Sequence, residues 1–129
     1  MSSNSNKLRI LVVEDNRDNR EVITLFIRGI AALDFALNGE EALIKTEQNS
    51  YDIILMDINL GMGITGIDVT KRLRKNEKYK STPIVAVTAY SLREDKEKIF
   101  NAGCSHYVGK PFTRKELLEL ISTISSDYR

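Results

Sequence analysis

The sequence has 129 residues, and its content of 42% hydrophobic and 29% charged residues is typical of one soluble globular domain. The net charge of +1 gives no reason to expect binding to nucleic acid or to a membrane surface. No apolar run is long enough to span a bilayer, and the single Cys104 excludes an internal disulfide, which favours a cytoplasmic location.

Three short apolar runs predict buried strands. They are rich in β-branched residues and do not alternate with polar ones, a pattern typical of parallel strands covered on both faces. These runs lie at residues 10–13, 53–56 and 84–87. Two weaker strands are predicted at residues 32–36 and 106–108.

Helical patterns lie between the strands. The first predicted helix runs from about Arg17 to Arg28, and helical spacing places Val22, Ile23, Phe26 and Ile27 on one face. Later helices begin at capping signals, in which a side chain binds the backbone N–H three residues further on. The signals are Asn38 with Glu41, Thr65 with Asp68, Ser91 with Glu94, and Thr113 with Glu116.

Strand and helix alternate five times, which predicts an α/β fold: a doubly wound (βα)5 domain with a five-stranded parallel sheet and helices on both faces. We expect this domain to occupy residues 7–125. Residues 1–6, rich in Ser and Asn, are expected to form a disordered tail, and residues 126–129 a C-terminal tail.

Polar residues follow four of the predicted strands. Glu14 and Asp15 follow the first strand, Asp57 ends the third, Thr88 follows the fourth and Lys110 the fifth. Ligands of open α/β sheets bind at the carboxyl ends of the strands, so we expect these five side chains to lie together.

Charge indicates what such a site would do. Three neighbouring carboxylates repel one another, so at least one should have a raised pKa unless a divalent cation binds. Oxygen donors without Cys or His favour Mg²⁺. Asp57 beside Lys110 could then attack a phosphorus atom and form an acyl phosphate, the charge of the transferring group being neutralised by Mg²⁺ and the ammonium.

Taken together, four segments resemble the receiver domains of two-component response regulators, including chemotaxis receivers. The resemblance runs from about Lys7 to Ser125 and implies a flavodoxin-like receiver fold with strand order 2-1-3-4-5. The matching segments are Glu14-Asp15-Asn16 after the first strand, Asp52 to Asp57, Val87-Thr88-Ala89, and Tyr107 to Pro111.

The resemblance implies a metal site with a phosphoacceptor. Asp57 matches the phosphoacceptor and is expected to be a metal ligand as well. Asp15 matches a direct Mg²⁺ ligand, Glu14 one that acts mainly through water, and the backbone carbonyl of Asn59 a third protein ligand.

Three further residues match receiver residues that contact the phosphoryl group or respond to it. Thr88 matches the hydroxyl that bonds it, Lys110 its ion-pair partner, and Tyr107 an aromatic switch. The Lys110–Pro111 peptide is expected to be cis.

The implied function is that of a phosphoacceptor switch. Asp57 would take a phosphoryl group from the phosphohistidine of a sensor histidine kinase or phosphotransfer protein, or from a small phosphodonor. The fourth helix, fifth strand and fifth helix, about residues 91–122, would then change for a downstream protein partner. Such a domain catalyses only its own phosphorylation and dephosphorylation. The chain could be free-standing or part of a hybrid kinase.

One loop departs from the common receiver pattern. Many receivers carry a Pro four residues after the acceptor and an Asp-Gly pair soon after it. Here Gly61 stands for the Pro, Thr65 for the Asp, and the loop is one residue longer. No predicted ligand is lost.

Other interpretations remain open for these residues. An aspartate-nucleophile phosphatase would carry a second Asp where this chain has Asn59, and a flavodoxin-like mononucleotide binder would need a phosphate-binding loop where Glu14 and Asp15 would repel phosphate. His106 and Cys104 are interpreted as structural. A basic run is interpreted as a solvated helix face and loop: Lys71, Arg72, Arg74, Lys75, Lys78 and Lys80.

Overall fold

Five strands alternate with five α-helices in the computed structural model, which describes residues 7–61, 63–89 and 93–128. The strands are β1 (Leu8–Val13), β2 (Ala31–Ala36), β3 (Ile53–Asp57), β4 (Ile84–Thr88) and β5 (His106–Gly109). The helices are α1 (Arg17–Ile27), α2 (Gly39–Gln48), α3 (Gly66–Arg74), α4 (Arg93–Ala102) and α5 (Arg114–Tyr128). A 3₁₀ turn at Glu77–Tyr79 precedes β4.

The strands form one parallel sheet in the order β2-β1-β3-β4-β5, which confirms the predicted α/β fold and strand order. Val13 pairs with Met56 and Met56 with Ala86, so the central strands end at nearly the same level. The strand order changes direction between β1 and β3, since β2 lies on one side of β1 whereas β3, β4 and β5 follow on the other. Open α/β sheets form their ligand crevice at such a point.

Each central strand contributes side chains to both faces of the sheet. Leu11, Val13 and Ile54 pack towards α2, α3 and α4, whereas Ile10 and Val12 pack towards α1 and α5. Because successive side chains of a strand point to opposite faces, a strand covered on both sides must be apolar at every position. This explains the unbroken apolar runs in the sequence.

The apolar face of α1 is narrower than predicted. Ile23 and Ile27 are buried, and Phe26 packs against the same core with its ring edge-on to Phe112 at 6.1 Å between ring centres. Val22, however, is 41% exposed, so the buried part of this face is narrower than the apolar stripe in the sequence. One residue covers about 100° of a helix, and Val22 lies beyond the edge of the contact with the sheet.

Two predicted capping boxes are present. Thr65 accepts a hydrogen bond from the Asp68 backbone at 3.1 Å and donates its own N–H to the Asp68 carboxylate at 3.4 Å. Thr113 and Glu116 make the same reciprocal pair at 3.0 and 2.9 Å. The box predicted at Ser91 lies outside the described residues, as does the predicted tail at residues 1–6.

The Arg74 side chain is not part of a solvated face, so that interpretation of the basic run was wrong here. Its guanidinium is half-buried and donates to the carbonyl oxygens of Gly103, Tyr79 and Thr82 at 2.8, 2.7 and 2.7 Å. Gly103 has φ +117°, and a Cβ there would lie 2.5 Å from Arg74 Cγ. The Arg74 side chain therefore connects the end of α3, through hydrogen bonds, to the loops that precede β4 and β5.

The last helix continues to Tyr128, past the expected domain end at Ser125. Within the described ranges, no helix combines the length and the apolar character needed to cross a membrane.

Candidate functional site

The carboxyl ends of three strands bring four charged side chains together. Glu14 and Asp15 follow β1, Asp57 ends β3 and Lys110 follows β5. One oxygen from each of the three carboxylates lies within 4.8 Å of the others. Residues far apart in the chain thus form one acidic cluster at the crevice of the sheet.

Lys110 is the cation of this cluster. Its Nζ lies 3.0 Å from Glu14 Oε1 and 3.5 Å from Asp57 Oδ2. Its backbone N–H donates to the Thr88 carbonyl at 2.7 Å, which continues the pairing of β5 with β4, and the Lys110–Pro111 peptide is cis, as expected. The Lys110 ammonium group is therefore within ion-pair distance of two buried carboxylates, those of Glu14 and Asp57.

Glu14 is 1% exposed, and hydrogen bonds hold both its carboxylate and its backbone carbonyl. Oε2 accepts from the Asn16 N–H at 3.2 Å, while Arg20 donates to the Glu14 carbonyl at 3.0 Å. Burial raises the pKa of Glu14; the hydrogen bond from Lys110 opposes this rise and the nearby Asp57 charge adds to it. Burial is thus the main cause of this raised pKa, and the repulsion expected from the sequence contributes less.

Asp57 is 4% exposed, and its two oxygens have different surroundings. Oδ1 accepts from the Asn59 N–H at 3.0 Å, and Oδ2 faces Lys110. A Cβ on Gly66 would lie 2.2 Å from the Asp57 carbonyl oxygen, so glycine lets α3 begin close against this residue. The carboxylate is thus fixed in a defined orientation.

Asp15 differs from the other two carboxylates because it is exposed at the rim of the site. Its Oδ2 accepts a hydrogen bond from the Gly61 N–H at 2.9 Å. No signal in the sequence indicated this contact, since a backbone donor is common to almost every residue type.

Thr88 and Tyr107, the two residues predicted to respond to a bound phosphoryl group, lie on adjacent strands. Thr88 is buried at the end of β4 and pairs in register with Gly109. Tyr107 is half-buried on β5, packs against the core on the α4 side of the sheet, and has the Lys96 ammonium 5.1 Å from its ring centre. His106, at the opposite end of β5 from Lys110, contacts Ser105 Oγ at 2.8 Å and takes no part in the cluster.

A cavity of about 370 Å³ opens beside the cluster, between α1 and the segment that follows β5. Glu14 and Lys110 form its charged edge. The rest of its lining is mainly apolar: Asn19, Val22, Ile23, Ala89, Pro111 and Phe112. Val22, which is partly exposed on α1, thus contributes to the lining of this cleft.

The donor set fits a hard divalent cation. The three clustered side chains offer only oxygen atoms, and neither Cys104, which is buried beside Thr70, nor His106 joins them. Oxygen-only sites of this kind suit Mg²⁺ rather than zinc.

Comparison with known proteins identifies the family. Residues 10–122 match the model of the response regulator receiver domain. The chain belongs to this family. The resemblance stated from its sequence motifs is confirmed, and the chain is a receiver domain of the two-component type.

Receiver domains similar to this one occur in proteins of very different length. The chain is 35% identical over 124 residues to the hybrid signal transduction histidine kinase G of Dictyostelium discoideum, covering 93% of this chain but only 4% of that kinase. It is 33% identical over 119 residues to the polar-differentiation response regulator DivK of Brucella anthropi, covering 92% of this chain and 96% of DivK.

Two solved receiver structures are similar over nearly the whole fold. The receiver of sensor histidine kinase PA1611 from Pseudomonas aeruginosa, 35% identical with a TM-score of 0.84, has a magnesium ion coordinated in its active-site cleft; the match covers 92% of this chain and 98% of that one. The receiver of Saccharomyces cerevisiae Ssk1, 31% identical with a TM-score of 0.82, was crystallised with the histidine phosphotransfer protein Ypd1; here the coverage is 90% and 87%.

Replacing Glu14 with Gln should change how the free energy of unfolding depends on pH, measured with EDTA present to remove divalent cations. Because folding raises the pKa of Glu14, the folded protein keeps this proton at pH values where the unfolded chain has released it. The wild type therefore loses free energy of unfolding as pH rises from about 4.5 through the raised pKa. The amide that Glu14→Gln introduces cannot titrate, so urea unfolding should show this variant gaining stability relative to wild type across this window.

The exposed Glu21 supplies the control, since Glu21→Gln removes one negative charge outside the cluster. A difference between Glu14→Gln and wild type that stays constant or shrinks as the pH rises would contradict the raised pKa.

Proposed function

We propose that this receiver domain is a phosphoacceptor switch and that Asp57 accepts the phosphoryl group. The observation that carries the proposal is the placement of the buried Asp57 carboxylate, 3.5 Å from the Lys110 ammonium and beside two further carboxylates. The donor is the phosphohistidine of a sensor histidine kinase or phosphotransfer protein, or a small phosphodonor such as acetyl phosphate.

The residues around Asp57 suit attack on phosphorus. The Asn59 N–H holds one carboxylate oxygen, which orients the group, and Lys110 lies beside the other. As the new O–P bond forms, the bond from phosphorus to the donor's imidazole nitrogen breaks, and the imidazole leaves with the electron pair. Lys110 stabilises the charge on the phosphoryl oxygens, and the Thr88 hydroxyl at the end of β4 donates to one of them.

Magnesium is the proposed cofactor. Asp15, Asp57 and the Asn59 backbone carbonyl would hold it directly, and Glu14 mainly through water. When bound, Mg²⁺ offsets the repulsion among the carboxylates and neutralises charge on the transferring group. The oxygen-only cluster and the magnesium ion in the similar receiver of PA1611 support this assignment.

The apolar cleft beside the cluster is the proposed approach for a protein donor. Val22 from α1 and Pro111 and Phe112 after β5 line it, and Glu14 and Lys110 lie at its edge. A helix carrying a phosphohistidine could bury apolar side chains against these residues while its imidazole reaches Asp57. The similarity to Ssk1, which was crystallised with a phosphotransfer protein, supports a donor of this kind.

The proposed output surface comprises α4, β5 and α5. Movement of Thr88 towards a phosphoryl group would alter the space between β4 and β5, where Tyr107 packs against the core with Lys96 of α4 over its ring. The phosphoryl group would bias an equilibrium between two arrangements of this surface, and a downstream protein would bind one of them better. We also propose that this domain does not bind nucleic acid directly and that it is located in the cytoplasm.

Acetyl phosphate with Mg²⁺ should add one phosphoryl group to the wild type, detected by intact-protein mass spectrometry. Asp57→Asn should gain none, because its neutral amide is a poor nucleophile, and excess EDTA should prevent the reaction of the wild type. Asp52→Asn is the matched control, since Asp52 immediately precedes the opposite end of β3, and it should react like the wild type. Addition to Asp57→Asn at the wild-type rate would contradict the assignment.

The proposed surface change can be followed by NMR with beryllofluoride, which stands in for the phosphoryl group. We expect shifts at Tyr107 and in α4 and α5 as well as around Asp57. Tyr107→Ala should retain the shifts around Asp57 and reduce those in α5. Wild-type shifts limited to the loops around Asp57 would show that this chain does not signal through the α4-β5-α5 surface.

A further inference from the structure

The segment between β3 and α3, residues 58–65, is anchored by two carboxylates from other parts of the chain. Asp15 accepts from the Gly61 N–H at 2.9 Å, and Glu40 of α2 accepts from the Ile64 N–H at 3.3 Å. This is the loop in which Gly61 stands where many receivers have a Pro. The first anchor joins the loop to a proposed metal ligand, whereas the second does not.

Gly61 provides two things that a proline cannot. It has a backbone N–H, and it has no Cβ. A Cβ at this position would lie 2.9 Å from Asp15 Oδ2. Apart from the chain neighbours of Gly61, no other heavy atom of the described residues would lie within 4 Å of it. Gly61 is not among the described glycines with positive φ, so the backbone conformation itself does not require glycine.

The contact bears on metal binding because Asp15 is exposed. An exposed side chain exchanges among rotamers, and a cation that binds it must first select the rotamer in which an oxygen faces the site. A charge-assisted hydrogen bond from a fixed backbone N–H makes that selection in advance. A carboxylate has about four lone-pair positions, so this bond leaves others free for a cation.

We propose that Gly61 is a positioning residue for the divalent cation: its N–H holds Asp15 Oδ2, and its missing Cβ leaves room for that oxygen. The inference rests on the metal site proposed above. The departure from the common receiver loop thus replaces a rigid proline with a residue that contacts the metal ligand.

Titration of the ¹⁵N-labelled protein with Mg²⁺, followed by NMR, tests the proposal. Gly61→Pro removes both the donor and the space, whereas Gly61→Ala keeps the donor and pushes on the oxygen. Each should raise the dissociation constant for Mg²⁺ by about tenfold, the lower end of what loss of a ligand-orienting contact costs. In the metal-free protein, each should also shift the ¹³C resonance of the Asp15 carboxyl carbon.

Glu40→Ala is the control, because it releases the loop's other anchor without touching Asp15. It should leave both the Mg²⁺ dissociation constant and the Asp15 carboxyl resonance unchanged. Equal weakening by Glu40→Ala and Gly61→Pro would overturn the positioning role in favour of general loop order. Wild-type affinity in both Gly61 variants would overturn it while leaving the metal site intact. A wild type that does not bind Mg²⁺ would remove the proposed metal site and this inference with it.

Discussion

Two buried carboxylates share one ammonium group, and the arrangement of the site depends on that constraint. Glu14 and Asp57 are almost fully removed from solvent, and Lys110 lies 3.0 and 3.5 Å from them. A buried carboxylate without a cation or hydrogen-bond donors is strongly unfavourable. The three residues come from three different strands, so the charge balance requires β1, β3 and β5 to end at the same rim. The parallel sheet, with its apolar residues directed to both faces, meets this requirement.

The same balance leaves the site short of positive charge. Asp15 adds a third carboxylate at the exposed rim, while Lys110 is the one ammonium within ion-pair distance of Glu14 and Asp57 among the described residues. Burial is the main cause of the raised pKa of Glu14, and the nearby charge of Asp57 adds to it as one consequence of this shortage. Affinity for a divalent cation would be another, because its two positive charges would offset the excess of carboxylates. A phosphoryl group would add negative charge, which the bound metal and Lys110 would then face together. The charge balance of the site therefore links metal, acceptor and Lys110.

Much of this arrangement could be predicted from the sequence because parallel strands end at a common edge. Once the apolar runs were assigned to β1, β3 and β4, the positions of Glu14, Asp15 and Asp57 followed from their places in the chain. The contacts of Gly61 and Arg74 could not be predicted in this way. Gly61 acts through a backbone N–H, which carries no residue-specific signal, and Arg74 binds carbonyl groups brought near it only by the folded loops. The structure gives the positions of the site residues, but the roles of Asp57 and Asp15, like those of Asn59, Thr88 and Tyr107, stay predictions because they concern a bound phosphoryl group or metal.

The most direct test of the shared ammonium is Lys110→Met, which removes the charge and keeps an unbranched apolar side chain. Mg²⁺ affinity and the rate of phosphorylation by acetyl phosphate should be measured on the same samples, with Lys71→Met as the control for loss of an exposed lysine. The account predicts opposite changes: tighter Mg²⁺ binding, because a repelling charge is gone, and phosphorylation slowed by about tenfold or more, because the phosphoryl oxygens lose a cation. Unchanged Mg²⁺ affinity together with a wild-type rate of phosphorylation would contradict it.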